Sequence, residues 1–293
     1  MSSIVLVLIT GVGLGALYFL AASGLSLIYG LMHVLNFAHG AFLTLAALIG
    51  WMTAQALGTD SWFALVVSIL VGALVGGIFA TLTELLLIRP LYGRHIEQVL
   101  VTVGLALAAT ALFEGIWGAD AVTIAGPAWL KQTSIVLGAK IPNVYWILII
   151  AALIVLAVLV IFLRKTRYGM IIRAGVENRA MVTALGIDVR RAFTLVFAIG
   201  GAAAGIGGVL TMHYMTFVSP HIGQTMLIFA FIVTVVGGLG SLAGAAIASA
   251  LVAVLQQFAN FYLGGTGDFI VVILLAVVLL VRPQGIMGKA VAK

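Results

Sequence analysis

Asn36-Phe37-Ala38-His39-Gly40 is an early place where polar side chains interrupt the apolar runs of this chain. Asn suits the cap of a helix, because its side chain satisfies an otherwise free N–H group. A helix that begins within a membrane also turns the positive end of its dipole toward any anionic group nearby. Asn36, Phe37, His39 and Gly40 therefore read either as a substrate-facing break or as a helix start carrying an interfacial His. His33 and His39 are six residues apart, off the four-residue spacing that would set them on one helical face. A metal site is not expected there, and no cofactor is expected elsewhere.

Acids inside apolar runs are the next candidates, because a charge at mid-membrane costs roughly 2.5–3.5 kcal/mol on insertion scales. Only Glu84, Glu114 and Asp268 qualify, and each falls within a turn or two of an expected helix end. Pairing, for example of Glu84 with Arg89, is then sufficient. A proton- or sodium-coupled carrier needs an acid placed deeper. In 223–244 the apolar run breaks at Gly237, Gly238 and Gly240. No Lys-Ser/Thr follows, so this is not a phosphate-cradling loop. It is either an irregular lining of a pathway or a tight turn between two helices.

The longest polar stretch is Arg164 to Arg191, with seven of the 14 Lys and Arg and two of the eight Asp and Glu, so that it holds +5 of the net +6. Val176, Ala180, Met181, Ala184 and Leu185 recur there at helical spacing, and Gly186 supplies a stop. The pattern fits a short amphipathic helix that docks on a partner. The alternative is a passive basic anchor.

The elements that must position these groups are membrane helices. The chain is 64% hydrophobic and 8% charged, with a mean hydropathy of +1.30. That leaves too little polar surface for a soluble globule. Its basic residues sit at the ends of apolar runs, the sidedness signal of a membrane protein and not a nucleic-acid patch. There is no Cys, so disulfides and thiolate metal sites are excluded.

About 20 apolar residues make one span. This criterion gives candidates at 4–31, 37–56, 62–88, 98–116, 143–163, 192–213, 224–240, 241–258 and 268–281, hence an all-α polytopic bundle of eight or nine spans in one domain, 1–293. The first is expected to be retained, since it lacks a basic leader and is too long for a cleaved signal. Arg89, Arg94, the 164–191 loop, Arg282, Lys289 and Lys293 share the cytoplasmic side, and 57–61, 117–142, 214–223 and 259–267 lie outside. The polar, Pro-interrupted 117–143 segment reads as a small surface structure. Gly11/Gly15, Gly72/Gly76, Gly201/Gly205 and Gly240/Gly244 have the spacing of close helix contacts.

NFAHGAFLTLAA at 36–47 and GMIIRAGVENRAMVTALGIDVRRAFTLVFAIGGAAAGIGGVL at 169–210 resemble the LivH-type permeases of branched-chain amino-acid ABC importers. The likeness extends over the whole chain, including 236–244 and the ending Arg282-Pro283-Gln284-Gly285, and takes in related urea and short-chain amide permeases. Ala41 departs from the acidic residue that many relatives carry after His-Gly. The resemblance implies a type II ABC importer permease, not itself an enzyme, in a bacterial inner membrane. It implies as partners a second, LivM-like permease, two cytoplasmic ATP-binding subunits and an external substrate-binding protein. Carried onto this sequence, Arg173 to Gly186 becomes the coupling helix, with Arg173, Glu177, Asn178, Arg179 and Gly186 facing the ATPase. Asn36–Gly40 then lies along the pathway. A secondary carrier driven by an ion gradient is the alternative from another class.

Overall fold

The structure, a computed structural model, describes residues 2–177, 181, 182, 186 and 188–288. Its axis is α1 (Ser2–Met32), whose residues from Gly13 to Ile28 are all buried. So complete a burial is possible because α1 is rich in Gly, Ala and Ser, which let neighbouring backbones close in on every side. Around it lie α2 (His39–Leu57), α3 (Trp62–Thr83), α4 (His95–Trp117), α5 (Val144–Lys165), α6 (Arg167–Glu177), α7 (Val189–Met215), α8 (Ile222–Gly237), α9 (Leu242–Tyr262) and α10 (Gly267–Val281). Helices α5, α7, α8 and α9 pack directly on α1.

The paired glycines are structural. A Cβ on Gly205 would collide with the Gly72 carbonyl, and one on Gly201 with the Gly76 carbonyl, so α3 and α7 touch backbone to backbone. Gly11 and Gly15 bring α1 equally close to α9, where a Cβ on Gly15 would stand 2.8 Å from the Ser249 carbonyl oxygen. On the outer faces of α3, the turn at 84–88, α4 and α10, Leu70, Leu86, Leu107 and Leu280 stand bare. Rows of exposed Leu on closed helical backbones are what lipid solvates. The chain is a multi-pass membrane protein.

Contacts sort the helix ends into two sets. Gly30 of α1 meets Gly240, and Arg89 meets Thr194 near the start of α7, which groups these with the basic elbow at 164–167. At the other end, β1 (Val122–Thr123) pairs antiparallel with β4 (Phe217–Val218). Trp117 bonds Met52 there, and Trp62 lies by Trp129. The 117–143 segment is the surface structure expected. After a 3-10 turn at Ala128–Lys131, β2 (Thr133–Val136) and β3 (Ala139–Pro142) form a hairpin. Its two turn residues, Leu137 and Gly138, both have positive φ, the geometry that matches strand twist in a two-residue loop.

All nine expected apolar runs are helical, with ends shifted by a few residues. Among the described residues, however, only seven helices are long and apolar enough to cross a membrane, against the eight or nine spans expected. Ile222–Gly237 and Gly267–Val281 are apolar but shorter. The run at 224–240 over-read its helix because Gly238 and Gly240 are hydrophobic-scale neutral yet adopt positive φ, which ends α8 at Gly237.

Candidate functional site

Helix α2 does not start where α1 stops. His39 lies fully buried beside residues 21–24 of α1, its Nε2 2.9 Å from the Ala21 carbonyl oxygen. From Ala21 to Met32 an α-helix advances about 16 Å, so the irregular segment 33–38 doubles back alongside the end of α1. Protein covers one side of it: Val34, Asn36 and Ala38 are buried, Leu35 and Phe37 are half-buried and His33 is exposed. Non-helical backbone at such depth is tolerated only inside protein or at a water-lined cavity. Asn36 is not the helix cap expected. The cap position is Ala38, and Asn36 Oδ1 instead accepts from the Ala38 N–H at 3.1 Å, a local turn that starts the helix two residues later.

Two side-chain atoms at this break are buried without a partner, Asn36 Nδ2 and His39 Nδ1. The Ala21 carbonyl accepts, so His39 Nε2 carries the proton and Nδ1 of the neutral ring is an acceptor. Together they offer two N–H donors and one acceptor. Gly40 abuts Gly223 at the start of α8, where the Gly223 N–H donates to Thr44 Oγ1 at 3.0 Å. A Cβ on Gly40 would stand 2.7 Å from the Gly223 carbonyl oxygen, and one on Gly24 would press on His39. Two helix starts, α2 and α8, therefore meet inside the protein.

Gly237, Gly238 and Gly240 form the tight turn, not an open break. Gly238 and Gly240 have φ of 101° and 84°, and Ser241 caps α9 by accepting from the Gly244 N–H at 3.0 Å. The carbonyls left free at the end of α8 are taken up by the C-terminal segment: Ile286 N–H donates to Val236 and Met287 N–H to Gly237. Gly285, φ 77°, lets that segment lie on Gly238. The turn also touches Gly30, so both glycine-bearing breaks adjoin the C-terminal half of α1.

At the basic end, α6 follows α5 with one residue between them. Thr166 Oγ1 donates to the Phe162 carbonyl and accepts from the Gly169 N–H. Gly169 packs so tightly on Phe162 and Leu163 that a Cβ would overlap their carbonyls. This helix starts at Arg167, where the Thr166 hydroxyl caps it, and shares only 173–177 with the coupling helix expected over Arg173–Gly186. Ile172 is buried, and Arg167, Tyr168, Met170 and Arg173 are exposed, which leaves a face both basic and apolar. Glu177 is the last residue of α6, and Gly186 has φ 77°. Asn178 and Arg179 lie outside the described residues.

Beside this elbow, Glu84 is fully buried and paired with Arg89 at 3.3 Å, as anticipated. It gains partners that the sequence did not suggest. Thr194 of α7 donates to Oε2 at 2.8 Å, and Tyr92 donates to Oε1. Burial, then the adjoining carboxylate, push the Tyr92 phenol well above its ordinary range, so it remains a neutral donor. Residues 84–88 form a π-helical turn that aims Glu84 inward. Of the other two acids, Glu114 pairs with His221 at 3.0 Å, and Asp268 accepts from Gln256 at 2.6 Å. Gln256 in turn accepts from the Tyr18 hydroxyl. Among the described residues no three His, Asp or Glu gather to hold a metal.

At the opposite end a cavity of about 360 Å³ opens between the 124–131 segment, the start of α5 and the end of α7. Lys131, Tyr145, His213 and Tyr214 line it with apolar neighbours. Nothing in the sequence marked it, since its walls come from three separate stretches.

Residues 7–282 match the family described as branched-chain amino acid transport system, permease component. The chain is 30% identical over 288 residues to the high-affinity branched-chain amino acid transport system permease protein LivH of Escherichia coli (strain K12), covering 95% of this chain and 94% of that one. It is 28% identical to the probable branched-chain amino acid transport permease protein LivH of Methanocaldococcus jannaschii, over 92% and 88% of the two chains. Among solved structures, PsaBC from Streptococcus pneumoniae in complex with Fab shares the fold, with a TM-score of 0.51 at 12% identity over 94% of this chain and 91% of that one.

Proposed function

We infer the function of this chain from its family: it belongs to the permease components of branched-chain amino acid transport systems. It is the membrane-spanning subunit of an ATP-driven importer of the type II class that carries branched-chain or other small neutral amino acids across a bacterial inner membrane. The chain supplies the pathway. Separate ATP-binding subunits hydrolyse ATP, and a soluble binding protein delivers substrate from outside to a pathway shared with a second permease.

The observation that carries the reading is the doubled-back segment 33–38, with buried, unpartnered Asn36 Nδ2 and His39 Nδ1 at the start of α2. Unsatisfied buried polar groups are rare and call for an explanation. A polar solute passing between α1, α2 and α8 provides one, since its amino and carboxylate groups match an acceptor and donors. Asn36, Phe37, His39 and Gly40 lie along this pathway, and the Gly237–Gly240 turn borders its inner end. The basic and apolar face of α6 docks on the ATP-binding subunit, and the coupling role extends to Glu177, Asn178, Arg179 and Gly186.

The test is reconstitution in liposomes with the second permease, the two ATP-binding subunits and the binding protein. Uptake of labelled leucine, isoleucine and valine is expected to require both ATP and the binding protein. Uptake by this chain alone on an ion gradient would overturn the reading in favour of a secondary carrier. Uptake of urea or a short amide in preference to leucine would move the substrate class. Glu177→Ala and Arg179→Ala are expected to separate ATP hydrolysis from uptake while the complex still assembles, and unchanged uptake would remove the docking role.

A further inference from the structure

The cavity at the outer end combines features that the transport pathway does not use. Its volume of about 360 Å³ lies in the range of small-molecule sites, roughly 300–1,000 Å³. Its lining carries apolar Ile124, Leu130 and Val144 and polar Lys131, Tyr145 and His213. No acid lines it, so the formal charge of the lining is positive. His213 is 8% exposed, and its Nε2 has no partner. A buried ring nitrogen without a partner is a cost that a ligand or an ordered water offsets. Gly126 lies against that ring, and a Cβ there would stand 3.0 Å from Nδ1.

We propose that this cavity is a permease-side binding site for a small zwitterion with a branched apolar body, an α-amino acid of the leucine class. The identity of the zwitterion rests on the family reading above. Lys131 meets the carboxylate, and Ile124, Leu130 and Val144 enclose the side chain. The tyrosine hydroxyls and His213 remain for the ammonium and bound water. The cavity belongs to the end opposite the basic elbow, where substrate arrives. It also leads inward: Tyr145 Oη accepts from Gln257 Nε2 at 3.4 Å. The preceding residue of α9, Gln256, bonds Tyr18 of α1. The cavity is thus a holding site between delivery and passage.

Equilibrium dialysis of labelled L-leucine against the purified transporter complex in nanodiscs, without the soluble binding protein, tests this directly. Saturable leucine binding is expected. 4-Methyl-2-oxopentanoate, which keeps the carboxylate, is expected to compete, and 3-methylbutylamine, which lacks it, is not. Loss of a charge-assisted contact worth roughly 1.5–3 kcal/mol corresponds to about a ten- to hundredfold weaker affinity for Lys131→Gln. Lys131→Arg restores part of it. Val144→Trp, which adds bulk to the apolar lining, abolishes it. Lys140→Gln, on β3 outside the cavity, leaves binding unchanged.

Leucine binding that is absent, or as strong in Lys131→Gln as in the native chain, overturns the proposal. So does equal competition by chloride or phosphate, which marks a general anion site. ATP-driven uptake by the same preparation with the binding protein added separates the two readings. Intact uptake without a Lys131-dependent site removes only the cavity. Absent uptake of every branched-chain amino acid removes the family-based substrate.

Discussion

Thr194 on α7 donates its hydroxyl to Glu84 at the end of α3, 2.8 Å away across 110 positions of sequence. The same hydroxyl accepts from Arg89 Nη2 at 2.6 Å, so one small side chain completes the ion pair and ties α3 to the helix that leaves the basic loop. Glu84→Gln keeps the shape and removes the charge. A buried carboxylate that loses its charge-assisted bonds is expected to cost about 2 kcal/mol. Thermal unfolding followed by tryptophan fluorescence checks this, and an unchanged midpoint would show that the pair does not hold the joint.

The α3–α7 contact depends on absent side chains. Gly205→Leu places carbon where the Gly72 carbonyl already sits, and overpacking of this kind costs roughly 1–3 kcal/mol. Gly104→Ala on α4, where nothing lies within 4 Å of the added carbon, is expected to be neutral or to stabilise by about 0.5–1 kcal/mol. Paired unfolding curves decide whether contact or helix propensity governs. Equal effects at the two sites would contradict the backbone-to-backbone contact.

At the start of α2, His39→Ala removes both the bond to Ala21 and the free Nδ1 acceptor. Uptake is expected to fall roughly tenfold or more, as for loss of a hydrogen bond of about 1.5 kcal/mol in the pathway. ATP hydrolysis stimulated by the binding protein should change much less. A parallel fall in hydrolysis would assign His39 to the fold and not to passage of substrate.

The C-terminal segment closes the end of α8. Ile286 and Met287 amides, bonded to Val236 and Gly237, are expected to exchange slowly with solvent deuterium. Gly285→Val, forced into a left-handed φ against Gly238, should expose both. Hydrogen exchange with mass spectrometry reads the difference, and rapid exchange of both amides in the native chain would show that the cap does not persist in solution.

Much of the fold is legible in the residues. Apolar runs gave nine of the ten helices α1–α10, and small-residue spacing marked Gly11/Gly15, Gly72/Gly76 and Gly201/Gly205 as packing sites without saying which helices they join. Glu84 beside Arg89 read as a pair, and Gly-rich 237–240 as one of two alternatives. What stayed hidden depends on depth and on distant neighbours. Hydropathy reports whether a residue suits lipid but not how far into the molecule a helix begins, so the doubling back at 33–38 and the short α8 were not visible. Asn36 has the chemistry of a cap, and only the backbone shows that it turns the chain two residues early. Thr194 and Thr44 look like ordinary helical threonines because their partners lie 110 and 179 positions away. The coupling stretch is legible only at its edge: α6, capped by the Thr166 hydroxyl, runs Arg167–Glu177 and holds Val176 alone of the residues read at helical spacing, while Ala180, Ala184 and Leu185 lie outside the described residues.

Thr166 stands alone between the last residue of α5 and the first of α6, and its hydroxyl is bonded to both helices. A joint of one residue, closed by Gly169 against Phe162 and Leu163, has no slack. In mechanical terms α5 and α6 are the two arms of a bell crank. Under the docking role proposed above, a push along α6 would become a tilt of α5 with little lost travel, and the stroke delivered to the bundle would scale with the length of α6. Spare glycines inserted at this corner would turn the crank into a rope, which can be pulled but cannot push.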